Sequence, residues 1–77
     1  MNKTRRTNLR KVYDLISEAR ALLEEIAQEE REALDNTPDS LQTSERYEQA
    51  DEDCTTLEDH LTDLETIEEN LEEIIER

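Results

Sequence analysis

Only two side chains in this sequence combine nucleophilic or metal-binding chemistry with scarcity: one cysteine, Cys54, and one histidine, His60. A catalytic thiol needs a base within reach to hold it as thiolate. No histidine stands at helical spacing from Cys54 to serve as that base, and Cys54 falls instead on an apolar stripe and reads as a small core residue. His60 has Thr56 and Asp63 as its helical neighbours. No Glu-x-x-His pattern accompanies it, so a carboxylate-bridged metal pair is not indicated. Asp51-Glu52-Asp53 looks like the opening of a calcium loop, but the sixth and twelfth positions are Thr56 and Thr62, where such a loop needs glycine and glutamate. Acid pairs such as Glu24-Glu25, Glu29-Glu30 and Glu72-Glu73 sit in a solvated pattern with no pocket implied. The expectation is a protein without catalytic residues, metal or cofactor, acting by binding.

The elements that carry these residues follow from composition and period. The chain has 77 residues, which bounds it at one small domain. It has no glycine and one proline, which argues against turn-rich β architectures and removes any glycine-rich phosphate cradle. High charge and few aromatics would fit disorder, but the apolar residues are periodic. Leu9, Val12, Ile16, Ala19, Leu23 and Ile26, continued through Glu30 and Ala33, keep 3-4 spacing. They predict an amphipathic helix over residues 7–35. Tyr47, Ala50, Cys54, Leu57, Leu61, Leu64, Glu68 and Leu71, with Ile67, Ile74 and Ile75 alongside, predict a second over 44–76. The connector, residues 36–43, holds the only turn-forming composition, with Pro38 opening a short turn that Thr37 would cap and Ser44 or Thr43 capping the second helix.

The two stripes match in antiparallel register. Leu9 with Leu71, Ile16 with Leu64, Ala19 with Leu61, Leu23 with Leu57, Ile26 with Cys54, Glu30 with Ala50 and Ala33 with Tyr47 all have residue numbers summing to 80. Val12 would meet Glu68, where Ile67 is expected to substitute. The predicted fold is therefore an all-α, coiled-coil-like helical hairpin. A lone hairpin with 16 Leu, Ile and Val residues has little core. One edge, carrying Leu15, Leu22, His60, Ile67 and Ile74, is apolar and is expected either to make a homodimeric four-helix bundle or to dock a different protein.

The other edge carries Asp51, Glu58, Glu65 and Glu72, and the charge as a whole is unevenly placed. Residues 1–11 hold Lys3, Arg5, Arg6, Arg10 and Lys11 and no acid, while residues 12–77 set 23 acids against four arginines. The formal net charge of −14 bars direct binding to nucleic acid or anionic membrane by most of the surface. Residues 1–6 read as a basic tail, and the cations from Lys3 to Lys11 are able to neutralise Glu68, Glu72, Glu73 and Glu76 at the far end of the second helix, with a short nucleic-acid or membrane contact as the alternative. The basic start lacks a following apolar stretch, so no secretory signal is expected, and the lone cysteine fits a reducing cytoplasm. Over 44–76 there are 14 acids against Arg46. On a helix of about 50 Å that is one negative charge per ~3.5 Å, close to the ~3.4 Å spacing of phosphates along one DNA strand. Two readings stay open: charge that only keeps the protein dispersed, or a surface for a partner with a basic face. Within the second, the loop residues Asn36, Asp39, Leu41, Gln42, Arg46 and Tyr47 are candidate specificity contacts. The alternative is a packed connector with Leu41 capping the seam, Tyr47 closing it beside Ala33, and Glu30 pairing with Arg46 or Arg31.

The stretch Asp35-Asn36-Thr37-Pro38-Asp39-Ser40-Leu41-Gln42-Thr43-Ser44-Glu45-Arg46-Tyr47-Glu48 resembles the connector of short acidic helical proteins encoded in phages and conjugative elements of gut Firmicutes. There an Asn-x-Pro-x-x-Leu-Gln-x-Ser motif lies between two Glu/Leu-rich helices. The resemblance covers most of the chain and implies a mobile-element setting in a bacterial host cell. By analogy with other small acidic proteins of such elements, it implies inhibition of a host defence protein, of the anti-CRISPR or anti-restriction kind, by imitation of DNA.

Overall fold

The computed structural model describes residues 1–77 and consists of two long helices joined by a short 3-10 turn: α1, Lys3–Asp35; the turn, Asp39–Leu41; and α2, Glu45–Glu76. The helices run antiparallel and pack along their length into a rod of 59 × 14 × 14 Å. There are no strands and no positive-φ residues. The all-α hairpin expected from the periodicity is what the chain forms.

Each helix starts where a side chain can satisfy its first free amides. Asn2 Oδ1 accepts the Arg5 amide at 2.8 Å, so α1 begins at Lys3 and residues 3–6 of the expected basic tail are instead the helix's first turn. Ser44 Oγ accepts the Tyr47 amide at 3.2 Å and opens α2. Five cations at the N-terminus of α1 oppose its own dipole. The hairpin offsets this by placing them beside the C-terminus of α2, which has no basic residue in its last turn. Arg6 donates there to the Ile75 carbonyl at 3.3 Å, one of the acceptors a helix end leaves free. That contact replaces the expected neutralisation of Glu68, Glu72, Glu73 and Glu76: none of them is ion-paired to residues 3–11.

The connector is tied down by its own polar groups. Thr37 does not cap the turn; its hydroxyl donates back to the Ala33 carbonyl at 3.1 Å. The Gln42 amide reaches back to the Thr37 carbonyl (3.3 Å) and the Asp39 carboxylate (3.2 Å), and the Ser44 hydroxyl donates to the Leu41 carbonyl (2.8 Å). Leu41 stays largely exposed, at the loop end of the seam beside Leu34 and Tyr47.

The seam of α2 is the predicted stripe: Tyr47, Ala50, Cys54, Leu57, Leu61, Leu64, Glu68, Leu71 and Ile75 are all buried or half-buried. The seam of α1 is not. Leu9, Ile16 and Leu23 face inward, but the positions alternating with them are Arg6, Tyr13, Arg20, Ala27 and Leu34. Val12, Ala19, Ile26, Glu30 and Ala33 are exposed. The helix is rotated by one neighbouring stripe about the Leu9–Ile16–Leu23 row. A 3-4 pattern permits this, because each such residue has seam-capable neighbours at both i+3 and i+4. The rotation brings Ser17, Arg20 and Arg31 to α2 and turns Val12 and Ile26 away.

Ile67 does not substitute for Glu68. It is exposed, and Glu68 itself is buried, with 7% of its surface accessible. The Ser17 hydroxyl donates to Glu68 Oε2 at 3.1 Å and the Arg20 guanidinium bonds Oε1, so the buried carboxylate has partners for both oxygens. Both partners lie further along α1 than the residue expected opposite. Side chains on a helix lean toward its N-terminus, so long side chains on antiparallel helices meet when both residue numbers are higher than a strict backbone register gives.

Candidate interaction surfaces

Packing one seam divides the rest of the rod into two long faces of opposite character. On the first, Arg31 from α1 bridges to α2. Its Nη1 donates to Asp51 Oδ1 at 3.2 Å, its Nε to Glu58 Oε1 at 3.2 Å, and Nη2 also bonds Glu58. The expected partners, Glu30 with Arg46 or Arg31, are not joined; Arg31 spans the seam instead. Hydrogen bonds to Glu58 raise the Arg31 pKa, with Asp51 adding to the effect, so the guanidinium is a fixed cation at any working pH. Arg20 is raised in the same way, chiefly through its hydrogen bond to Glu68, and also approaches Glu24 at 3.6 Å.

Of the four acids expected on this face, Asp51 and Glu58 are thus engaged by Arg31. Glu65 and Glu72 have no ion-pair partner. They line a shallow depression with Tyr13, Arg20, Glu68 and Glu69. Tyr13 is covered in turn by the Arg10 guanidinium, 5.1 Å from the ring centre, a cation–π contact that the sequence reading missed. The signal was present in the i, i+3 spacing of Arg10 and Tyr13.

The second face is apolar. Leu15 and Leu22 are 65% and 59% exposed, and Val12, Ile26 and Ile67 are exposed beside them. Ile74, expected on this edge, is half-buried, and His60 is exposed. The rotation of α1 widens the edge beyond the residues first assigned to it. Val12, Leu15, Ala19, Leu22 and Ile26 form one 3-4 stripe facing solvent, next to the α2 row of Leu57, His60, Leu64, Ile67, Leu71 and Ile74.

At the loop end, Ala33, Leu34, Thr37, Leu41, Tyr47 and Ala50 line a cleft of about 390 Å³. Arg46 is at its rim, while Asn36 ends α1, its amide bonded to the Glu32 carbonyl at 3.0 Å. Gln42 spends its amide on the connector's own backbone, and Asp39 accepts from it. These two of the loop candidates therefore serve the turn itself.

Cys54 is the most buried residue, 1% accessible, and desolvation pushes its thiol pKa up from the ordinary 9.0, against an opposing pull from Arg31. A raised pKa keeps the sulfur protonated and unreactive. His60 Nδ1 stands 3.8 Å from the Asp63 carboxylate, both well exposed. No three His, Cys, Asp or Glu side chains are grouped to hold a metal ion. No helix is long and apolar enough to cross a membrane. Compared with family models, curated proteins and solved structures, the chain matches none, so its function is read from these two faces.

Proposed function

We propose that this chain is a non-enzymatic protein-binding module whose apolar face pairs with a second copy, giving a homodimeric four-helix bundle with the acidic faces outward. The observation that carries the reading is the uncovered stripe of Val12, Leu15, Ala19, Leu22 and Ile26 with Ile67 beside it. Contiguous apolar surface of this kind marks an interface. Area supports it. The hairpin exposes 5991 Å², against roughly 4900 Å² for a compact monomer of its 9.1 kDa mass. The excess of roughly 1100 Å² is comparable to the ~800 Å² each partner gives to a stable interface. Sedimentation at micromolar concentration tests this. The expected result is twice the 9.1 kDa chain mass, reduced to the monomer by Ile67→Glu; a clean monomer, or a dimer indifferent to that change, overturns it.

A second reading concerns the opposite face and is favoured by the unpaired Glu65 and Glu72. There the bundle docks a partner with a basic surface, acting as an inhibitor of a bacterial host's defence protein through nucleic-acid-like charge. The connector's resemblance to mobile-element proteins supports that setting. Reversal of Glu65 and Glu72 to lysine then weakens partner binding, and the wild-type complex loses affinity steeply with salt. Binding that ignores both treatments removes charge imitation from the account.

A further inference from the structure

Resting on the dimer reading, we infer that the second copy docks with α1 antiparallel to α1 about a two-fold axis beside Ala19. The exposed stripe is a palindrome in side-chain branching. Val12, Leu15, Ala19, Leu22 and Ile26 read β-branched, Leu, Ala, Leu, β-branched in either direction. An isologous interface requires this self-complementarity, since each patch meets its own image. The smallest residue falls at the centre, where two helices crossing an axis come nearest. The two leucines, the most exposed large side chains of this face, then lie on either side of the axis, and Val12 of each copy approaches Ile26 of the other.

Charge selects the direction of this pairing. With the axis at Ala19, residues 1–11 of one copy lie along residues 27–37 of the other. The first segment holds five cations and no acid; the second holds Glu29, Glu30, Glu32 and Asp35 against Arg31 alone. Parallel pairing would instead stack both sets of five cations on one another. Packing α1 on the partner's α2 satisfies charge as well. It would, however, set the stripe against a row that His60 interrupts, and leave the palindrome unused.

Disulfide mapping tests the axis in the full chain. Single cysteines are placed at Val12, Leu15, Ala19, Leu22 and Ile26, with Cys54→Ala to remove the native thiol. A parallel set keeps the buried Cys54, so a background that folds poorly does not decide the outcome. On mild oxidation, cross-linking between copies is expected to peak at Ala19→Cys and to fall at least tenfold at Val12→Cys and Ile26→Cys. The Val12→Cys, Ile26→Cys double variant regains it, because a 12–12 pair stands ~20 Å apart along an antiparallel pair while 12 and 26 are level. A sedimenting dimer with no peak at position 19 overturns the axis and leaves the dimer standing. A monomer throughout overturns both.

Discussion

Arg20 on α1 and Glu68 on α2 form a charged bridge inside the helix seam, and Ser17 completes it by donating to the second carboxylate oxygen. It is the one polar layer among otherwise apolar seam positions of α2. A buried ionic layer contributes little net stability beside well-packed apolar residues, yet leaving one member unpaired is costly. Its use here is to choose which of two available stripes of α1 faces α2.

Glu68→Ala leaves Ser17 and Arg20 without their acceptor and is expected to cost about 1–3 kcal/mol, read from chemical denaturation. Replacing the layer as a whole, with Arg20→Leu and Glu68→Leu together, is expected to raise the melting temperature. The same double variant should blur the rotation of α1, seen as greater exchange broadening of Val12 and Tyr13 in NMR spectra. A double variant less stable than Glu68→Ala alone would show that the bridge gives more than orientation.

Arg31→Ala releases Asp51 and Glu58 from their shared cation. The melting temperature falls by a few degrees at low salt, and the difference from wild type shrinks as salt rises, because this pair is solvent-facing. Equal differences at low and high salt would locate the effect in packing of the arginine stem.

Added salt alone acts in the opposite sense on the whole chain. Like charges at i, i+4, such as Glu65 with Glu69 and Glu69 with Glu73, each cost a few tenths of a kcal/mol. Screening them raises the melting temperature of wild type in moderate sodium chloride, which calorimetry measures. A fall would mean that the Arg20 and Arg31 bridges outweigh the repulsion.

Burial raises the Cys54 pKa in the folded chain, so folding favours the protonated thiol. That contribution is complete below the unfolded value near 9.0 and is lost as pH rises through the higher folded value. Stability should therefore decline above about pH 9 more steeply in wild type than in Cys54→Ala. Thiol reagents should label Cys54 only at the rate of unfolding. Rapid labelling of the native chain at pH 7 would contradict its burial.

Ser44→Ala removes the cap of α2 and is expected to cost about 1 kcal/mol, or roughly 4–8 °C in melting temperature. Ser44→Asp, which keeps an acceptor and adds a charge favourable to the helix N-terminus, should restore it. Failure of the aspartate to rescue would assign the loss to the Ser44 hydroxyl's own donation to Leu41.

Much of this architecture is local and was readable from the residues alone. The two helices, their antiparallel pairing and the whole α2 stripe follow from period, and capping chemistry narrowed the start of α2 to Thr43 or Ser44, since these act within a few residues. The apolar edge at Leu15, Leu22 and Ile67 was legible for the same reason. What local pattern left open was the rotation of α1, because Val12, Ala19 and Ile26 satisfy the 3-4 period as well as Tyr13, Arg20 and Ala27 do. Hydrophobicity alone favoured the first set. The tertiary structure decided for the second, since α2 brings a carboxylate, Glu68, into its own seam and only the Ser17–Arg20 side of α1 can pair it. That one choice turned an aliphatic stripe outward, and the charge near the seam became bridges while the apolar residues became the open face.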